Sequence, residues 1–241
     1  MMEGEIHMKL YCFHVGSIDE PMTKTVIPIY VYLIEHEKGL VLVDTGESYE
    51  FRDENAVMEE KDTIVPKLAE LGYKPEDIDY VIISHLHMDH AGYMTSFPNA
   101  TFIIRKEELM SAWWPEPVKL GYDFRTYEKT RDYKYIQLQD EEEYDLFMDG
   151  SIVLIDTRGH SRGHQSVILD LPQTGKTVLA LDAVPTKEIL DSGIFRRLAV
   201  DGWQATRSVQ KIKHLADCGC KVIFAHDPDV LPEKEAPACY D

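Results

Sequence analysis

Short apolar runs separated by polar breaks dominate this chain. Residues 8–15 predict a first strand, 29–34 a second and 40–43 a third, the last two joined through a turn at 35–39 as a hairpin. Residues 16–25, polar and containing Pro21, predict a loop, and the charged stretch 47–60 predicts an entrance loop or flap. Asp62 is the expected cap of a helix to Leu71, with Pro66 near its start and Gly72 as its stop. A turn at 74–79 leads into the run Tyr80-Val81-Ile82-Ile83, whose β-branched residues predict a buried strand. Residues 101–104 predict another strand and 106–114 a helix ended by Pro115. Residues 116–145, rich in Tyr and charge, form the least regular stretch, an inserted loop or small helices over a site.

The second half repeats the rhythm. Strands are predicted at 151–155, 166–169, 177–181 and 221–225, with a turn at 173–176. Asp201-Gly202 opens a helix to about Asp217, its apolar stripe at Ala205, Val209, Ile212 and Ala216, and Gly219 stops it. Many short strands with a few helices predict α/β (or α+β) layering rather than a bundle. Neither a linker nor a short repeat divides the chain, so residues 1–241 are expected to form a single domain.

Composition narrows the partners. At 44% apolar residues the chain reads as globular, and no run approaches the length needed to span a bilayer. A net charge of −18 argues against nucleic acid or an anionic membrane, both of which need a basic surface. Cys12, Cys218, Cys220 and Cys239 have neither disulfide-framework nor zinc-finger spacing. With an acidic N-terminus lacking a signal-type apolar core, they point to a reducing cytoplasm; Met8 is an alternative start. A small-molecule substrate and a monomer or homodimer are expected.

The chemistry concentrates where strands end. Ser84-His85-Leu86-His87-Met88-Asp89-His90 packs three imidazoles and one carboxylate behind the 80–83 strand. Such density points to a divalent metal, because imidazole and carboxylate are its usual ligands. Three further strand-like runs end in potential ligands, at Gly159-His160, Leu181-Asp182 and Ala225-His226. A mononuclear catalytic zinc takes about three protein ligands plus water. Five His and two Asp therefore supply two ions with one carboxylate shared.

His85-x-His87-x-Asp89-His90 followed by His160, Asp182 and His226 resembles the metallo-β-lactamase superfamily over essentially the whole chain, including the Asp44-Thr45-Gly46 turn. The resemblance implies a four-layer αββα sandwich with two Zn²⁺ ions at one edge. It assigns His85, His87 and His160 to the first metal, Asp89, His90 and His226 to the second, and Asp182 as the bridge. Redox members typically have Glu at the place of His87, and β-lactamases of the best-known class lack a carboxylate at the place of Asp182, so a hydrolase of another kind is implied. Within the superfamily the chain is most similar to the N-acyl-homoserine lactonases. The shared stretches are Ser-His-Leu-His-x-Asp-His-Ala-Gly, Gly-His-Ser-x-Gly-His-Gln-Ser at 159–166, Asp182-Ala183 and Leu-Gly-Tyr-x-Pro-x-Asp-Ile near Gly72.

That likeness implies quorum quenching: a metal-bridging hydroxide opens a lactone, with Asp89 or Asp182 carrying the proton to the leaving alkoxide. The alternative is hydrolysis of another carboxylated lactone, ester or amide, such as the lactone of a vitamin B6 catabolite. Two departures bear on this choice. Where such lactonases usually carry Tyr three residues after the bridging Asp, this chain has Pro185, which offers no donor; Tyr93 is a candidate replacement. Arg158 and Arg162 stand where Pro is common, either as a grip on a substrate carboxylate or as solvated cations. Trp113, Trp114, Tyr122 and Phe124 are read as acyl-pocket or core residues. Asp44 is read as orienting a ligand His. His164 is read as packing or hydrogen-bonding within the sheet, and His7, His14, His36 and His214 as ordinary surface or core histidines.

Overall fold

Two β-sheets lie face to face in the computed structural model, which describes residues 7–20, 24–115, 121–139, 143–230 and 238–241. The first contains β1 (Met8–Glu20), β2 (Thr25–His36), β3 (Gly39–Val43), β4 (Ala56–Val57), β5 (Tyr80–Ile82), β6 (Thr101–Arg105) and β7 (Lys134–Leu138). The second contains β8 (Tyr144–Asp145), β9 (Ile152–Asp156), β10 (Gln165–Leu171), β11 (Gly175–Leu181) and β12 (Lys221–Phe224). A last strand, β13 (Ala238–Tyr240), returns to the first sheet beside β1. The orders are β13-β1-β2-β3-β5-β6-β7, with β4 on β1, and β12-β11-β10-β9-β8. β1, β2 and β3 pair antiparallel, whereas β3, β5, β6 and β7 run parallel; β11 and β12 are the parallel pair of the second sheet.

Period-two alternation sets the layers. In β2, Tyr30, Tyr32 and Ile34 face the second sheet, while Ile29, Val31 and Leu33 face outward. The inward set meets Leu154, Val167, Leu169 and Leu179 in the inter-sheet core. The outer face of the first sheet is covered by α1 (Ile64–Glu70) through Ile64 and Leu68, by α2 (Met88–Ala91) through Ala91 and by α3 (Lys106–Trp113) through Ala112. The outer face of the second sheet receives Ile189 of α4 (Lys187–Ser192) and Ala205, Val209 and Ile212 of α5 (Gly202–Asp217). Each fully buried aliphatic side chain contributes about 1.5–3 kcal/mol. The result is the four-layer αββα arrangement.

Several sequence readings need correction. β1 does not stop at residue 15: it continues to Glu20, paired with the start of β2, after a bulge between His14 and Gly16. Polar side chains are no obstacle to this continuation, since ladder hydrogen bonds belong to the backbone. Asp62 is not a cap but ends a 3₁₀ turn, Glu60–Asp62; Thr63 holds the cap position, and its hydroxyl donates to the Glu60 carbonyl instead of accepting. Asp201 does cap α5, accepting from the N–H groups of Trp203 and Gln204. Ala216, expected on the buried stripe of α5, is only half-buried. β7, β8, α4 and β13 were not anticipated. The N-terminal residues 1–6, Pro21 and the 116–120 and 140–142 parts of the irregular stretch lie outside the described residues. Among the described residues no helix is long and apolar enough to cross a membrane.

Candidate metal centre

Parallel pairing puts the C-terminal ends of β3, β5, β11 and β12 on one edge, and the chemistry is gathered there. His85 follows β5 by three residues, His87 occupies the cap position of α2, and Asp89 and His90 lie in its single turn. His160 sits in the β9–β10 loop, Asp182 directly follows β11, and His226 follows β12 by two residues. Donor atoms of His85, His87 and His160 lie within 4.8 Å of one another, as do those of Asp89, His90 and His226, and of His85, His90 and Asp182.

Asp182 connects the two sets. Its Oδ2 is 3.3 Å from His160 Nε2, while its Oδ1 is 3.2 Å from His90 Nε2 and 3.1 Å from His226 Nε2. Asp89 Oδ2 lies 3.3 Å from His90 Nε2 and 3.5 Å from His226 Nε2. Nε2 of His85, His87 and His90 and Oδ1 of Asp182 are buried without a hydrogen-bond partner. Buried polar atoms are normally satisfied. Imidazole nitrogens and carboxylate oxygens aimed at shared points therefore fit divalent cations.

The opposite ring nitrogens of His85, His90, His160 and His226 are anchored, which fixes the orientation of those donors, whereas His87 turns its Nδ1 toward His160 Nε2 at 3.1 Å. His226 Nδ1 donates to the Pro28 carbonyl at 2.8 Å and His160 Nδ1 to the Leu198 carbonyl at 3.1 Å. His90 Nδ1 meets Asp44 Oδ2 at 2.7 Å, and the same carboxylate accepts from Ser84 N–H and Ser84 Oγ. Asp44 thus orients His90. His164 is a support: its Nε2 accepts the Asp182 N–H at 3.1 Å while its Nδ1 faces Thr157 Oγ1. Asp44 and Leu181 both adopt left-handed backbone, with φ of 61° and 52°. Such strain in non-glycine residues collects at functional sites.

Burial, followed by neighbouring imidazoles, holds His85 and His87 well below the ordinary histidine value; burial likewise lowers His160, and takes His164 to about 3. Burial opposes the charged form of His90 and His226 too, but there Asp89 and Asp182 outweigh it and both imidazoles are raised. Protons on these two rings offset the carboxylates, as a cation would.

Two carboxyls that sequence reasoning missed frame the centre. Glu108 of α3 is fully buried; its Oε1 accepts from Leu86 N–H and Tyr122 O–H, its Oε2 from Ser161 O–H and Gly163 N–H. It ties the His85 loop to the His160 loop. Within an ordinary Lys-Glu-Glu run nothing distinguished it from a solvated acid. Glu47 is also buried, and burial, then the charge of Asp89, pushes its carboxyl up to about 8.

The remaining candidates are dispersed. Tyr93 packs against the outer core of the first sheet, and its phenol oxygen accepts the Tyr49 N–H at 3.3 Å. Pro185 contributes its carbonyl, which accepts the His226 N–H at 2.9 Å. Tyr122 sets its ring nearly perpendicular to His87, 5.0 Å between centroids. Trp113 packs in the core against Tyr127, whereas Trp114 and Phe124 are exposed. Arg158 is gripped by Asp156 and Glu107. With Arg162 it lines a cleft of about 430 Å³ between α3 and the start of α5, behind the His160 loop.

A two-sheet sandwich with His and Asp side chains converging at its edge defines a metal-dependent hydrolase class. The metallo-β-lactamase superfamily model matches residues 25–226, and the chain belongs to that superfamily. It is 32% identical over 231 residues to the N-acyl homoserine lactonase AttM of Azorhizobium caulinodans, covering 89% of this chain and 88% of that one. It is 34% identical over 230 residues to an N-acyl homoserine lactonase of Bacillus cereus, covering 88% and 86%. Among solved structures, an N-acyl homoserine lactone hydrolase with N-hexanoyl-L-homoserine bound at its catalytic metal centre aligns with a TM-score of 0.77 at 29% identity, covering 93% and 98%.

Proposed function

We propose that this protein is a dinuclear metallohydrolase that opens small lactones, with N-acyl-homoserine lactone as the leading substrate and two Zn²⁺ ions per chain. The observation that carries the dinuclear reading is the split of Asp182, one oxygen toward His160 and the other toward His90 and His226. His85, His87 and His160 would hold the first ion, Asp89, His90 and His226 the second. The mixed nitrogen and oxygen donor set suits zinc. The relatives named above, acting on N-acyl homoserine lactones, support the substrate class. Four free cysteines support a reducing cytoplasm.

Zinc in such a pair lowers the pKa of water and polarises a carbonyl. The chain supplies the rest. His164 and the left-handed Leu181 hold Asp182 at its bridging place, and Asp44 holds His90. Asp89, its side chain 13% exposed, reaches solvent from the second set and would accept the proton of the attacking water and return it to the leaving alkoxide. Tyr93 accepts a hydrogen bond from the entrance loop, which leaves its own proton available for donation. Pro185 donates nothing but fixes His226. It keeps a second reading open, hydrolysis of a carboxylated lactone or related ester. The saturated Arg158 does not strengthen that reading.

The test is a panel of lactones of graded acyl length beside carboxylated lactones, β-lactams and thioesters, with metal content measured on the same preparation. Acyl-homoserine lactones turning over at about two zinc per chain is the expected result. Turnover confined to non-lactones would remove the substrate assignment, and full activity without metal would remove the mechanism.

A further inference from the structure

We propose that Ser84 is a positioning residue of the metal centre: its hydroxyl carries the orienting effect of Asp44 on to His85, so that one carboxylate aligns a donor of each ion. The inference rests on the dinuclear reading above, in which His85 belongs to the first set and His90 to the second. His160 and His226 each have a backbone carbonyl of their own to hold them, that of Leu198 and that of Pro28. His85 and His90 are held differently. His90 Nδ1 lies 2.7 Å from Asp44 Oδ2, Ser84 Oγ lies 2.7 Å from the same oxygen, and His85 Nδ1 lies 2.9 Å from Ser84 Oγ. The chain of contacts is closed to solvent: Asp44, Ser84 and His85 are fully buried and His90 is 1% exposed.

Proton counting fixes the direction of each bond. A carboxylate can only accept, so the Ser84 hydroxyl and His90 Nδ1 both donate to Asp44. A hydroxyl has one proton. With that proton directed to Asp44, Ser84 Oγ can only accept from His85. His85 therefore carries its proton on Nδ1. The lone pair falls on Nε2, which is buried without a hydrogen-bond partner among the donors of the first set. The backbone keeps this relay in register. Asp44 N–H donates to the Ile82 carbonyl at 2.8 Å, Ser84 N–H to Asp44 Oδ1 at 2.7 Å, and Gln165 N–H, from the second sheet, to the Ser84 carbonyl at 3.1 Å. On the far side the His90 carbonyl accepts the Thr45 N–H at 2.7 Å. Ser84→Ala breaks the link to His85 alone, because Ser84 N–H and His90 remain on Asp44. Asp44→Asn disturbs both donors. The amide brings protons of its own, and the Ser84 hydroxyl is then free to donate to His85 and drive the ring proton to Nε2.

Metal-free protein is titrated with Zn²⁺ against a chromophoric chelator, and the protonated ring nitrogen of His85 is identified by heteronuclear NMR in the same metal-free protein. Wild type should carry the proton on Nδ1. Ser84→Ala should mix the two tautomers and weaken one zinc-binding step by about 10- to 100-fold, the range found when outer partners are lost, with the other step unchanged. Asp44→Asn should weaken both steps. In a wild type that binds two zinc ions, a Ser84→Ala protein with both steps unchanged, or both weakened alike, overturns this proposal alone. Weakening of a single step in Asp44→Asn overturns the shared role of the carboxylate. A wild-type chain that binds one zinc overturns the dinuclear reading, whereas a proton on Nε2 of His85 in wild type overturns the Ser84 relay whatever the metal count.

Discussion

Asp89 shows how much can rest on one side chain. Its carboxylate is held well below the usual range because His90 and His226 more than offset its burial. Replacing it with Asn keeps the volume and one oxygen but removes the proton acceptor. Asp89→Asn should lower kcat by at least about 100-fold, the scale of general acid–base catalysis, with part of the metal retained. Steady-state kinetics beside metal analysis would check this, and an undiminished rate would exclude the role. At this scale the sequence was most informative for the donors, because each stands at the end of a recognisable apolar run. It was silent on Glu47 and Glu108. An acid in a charged stretch looks solvated until the fold buries it, and no local pattern records that.

α3 and the loops around it act as one unit. Glu108 gathers donors from the His85 loop, the His160 loop and Tyr122, whose ring braces His87. Gly163 allows this: a Cβ there would lie 2.4 Å from the Glu108 backbone nitrogen. Glu108→Ala leaves four donors facing a gap and should destabilise the fold by about 3 kcal/mol or more, measured by denaturant unfolding, since each buried unsatisfied group costs about 1–3 kcal/mol. A loss below about 0.5 kcal/mol, the range of ordinary surface changes, would show that the network does not brace the loops. Elements were legible where local signals are strong, as with α5 and its Asp201 cap. β7 and β8 escaped notice because short strands lying in charged, tyrosine-rich sequence are specified by the neighbours they pair with. The continuation of β1 escaped for the same reason.

The whole molecule couples proton binding to metal binding. Asp89 and Asp182 raise His90 and His226 above the ordinary histidine value in the metal-free protein, so these rings hold their protons to higher pH than a free imidazole, and a cation must displace them. Apparent zinc affinity should therefore rise with pH from 6.5 upward and be progressively lost as pH falls below it, with protons released on loading. Calorimetric titration in buffers of different ionisation enthalpy would measure that release; zinc affinity flat between pH 6 and 8 would contradict it. The layered architecture was legible from strand rhythm and resemblance together, but the way the ligands divide between the sheets emerges only from the topology.

That division governs how long the protein survives. Each proposed ligand set draws on both sheets: His85 and His87 with His160, and Asp89 and His90 with His226. In an unfolded chain His160, Asp182 and His226 lie far from the 85–90 cluster, so cations would bind the native form preferentially and add to its stability in proportion to the logarithm of their free concentration. With zinc in the proposed sites, zinc supply would set turnover as well as activity. A starved cell would clear the idle protein through its proteases, and a replete one would keep it.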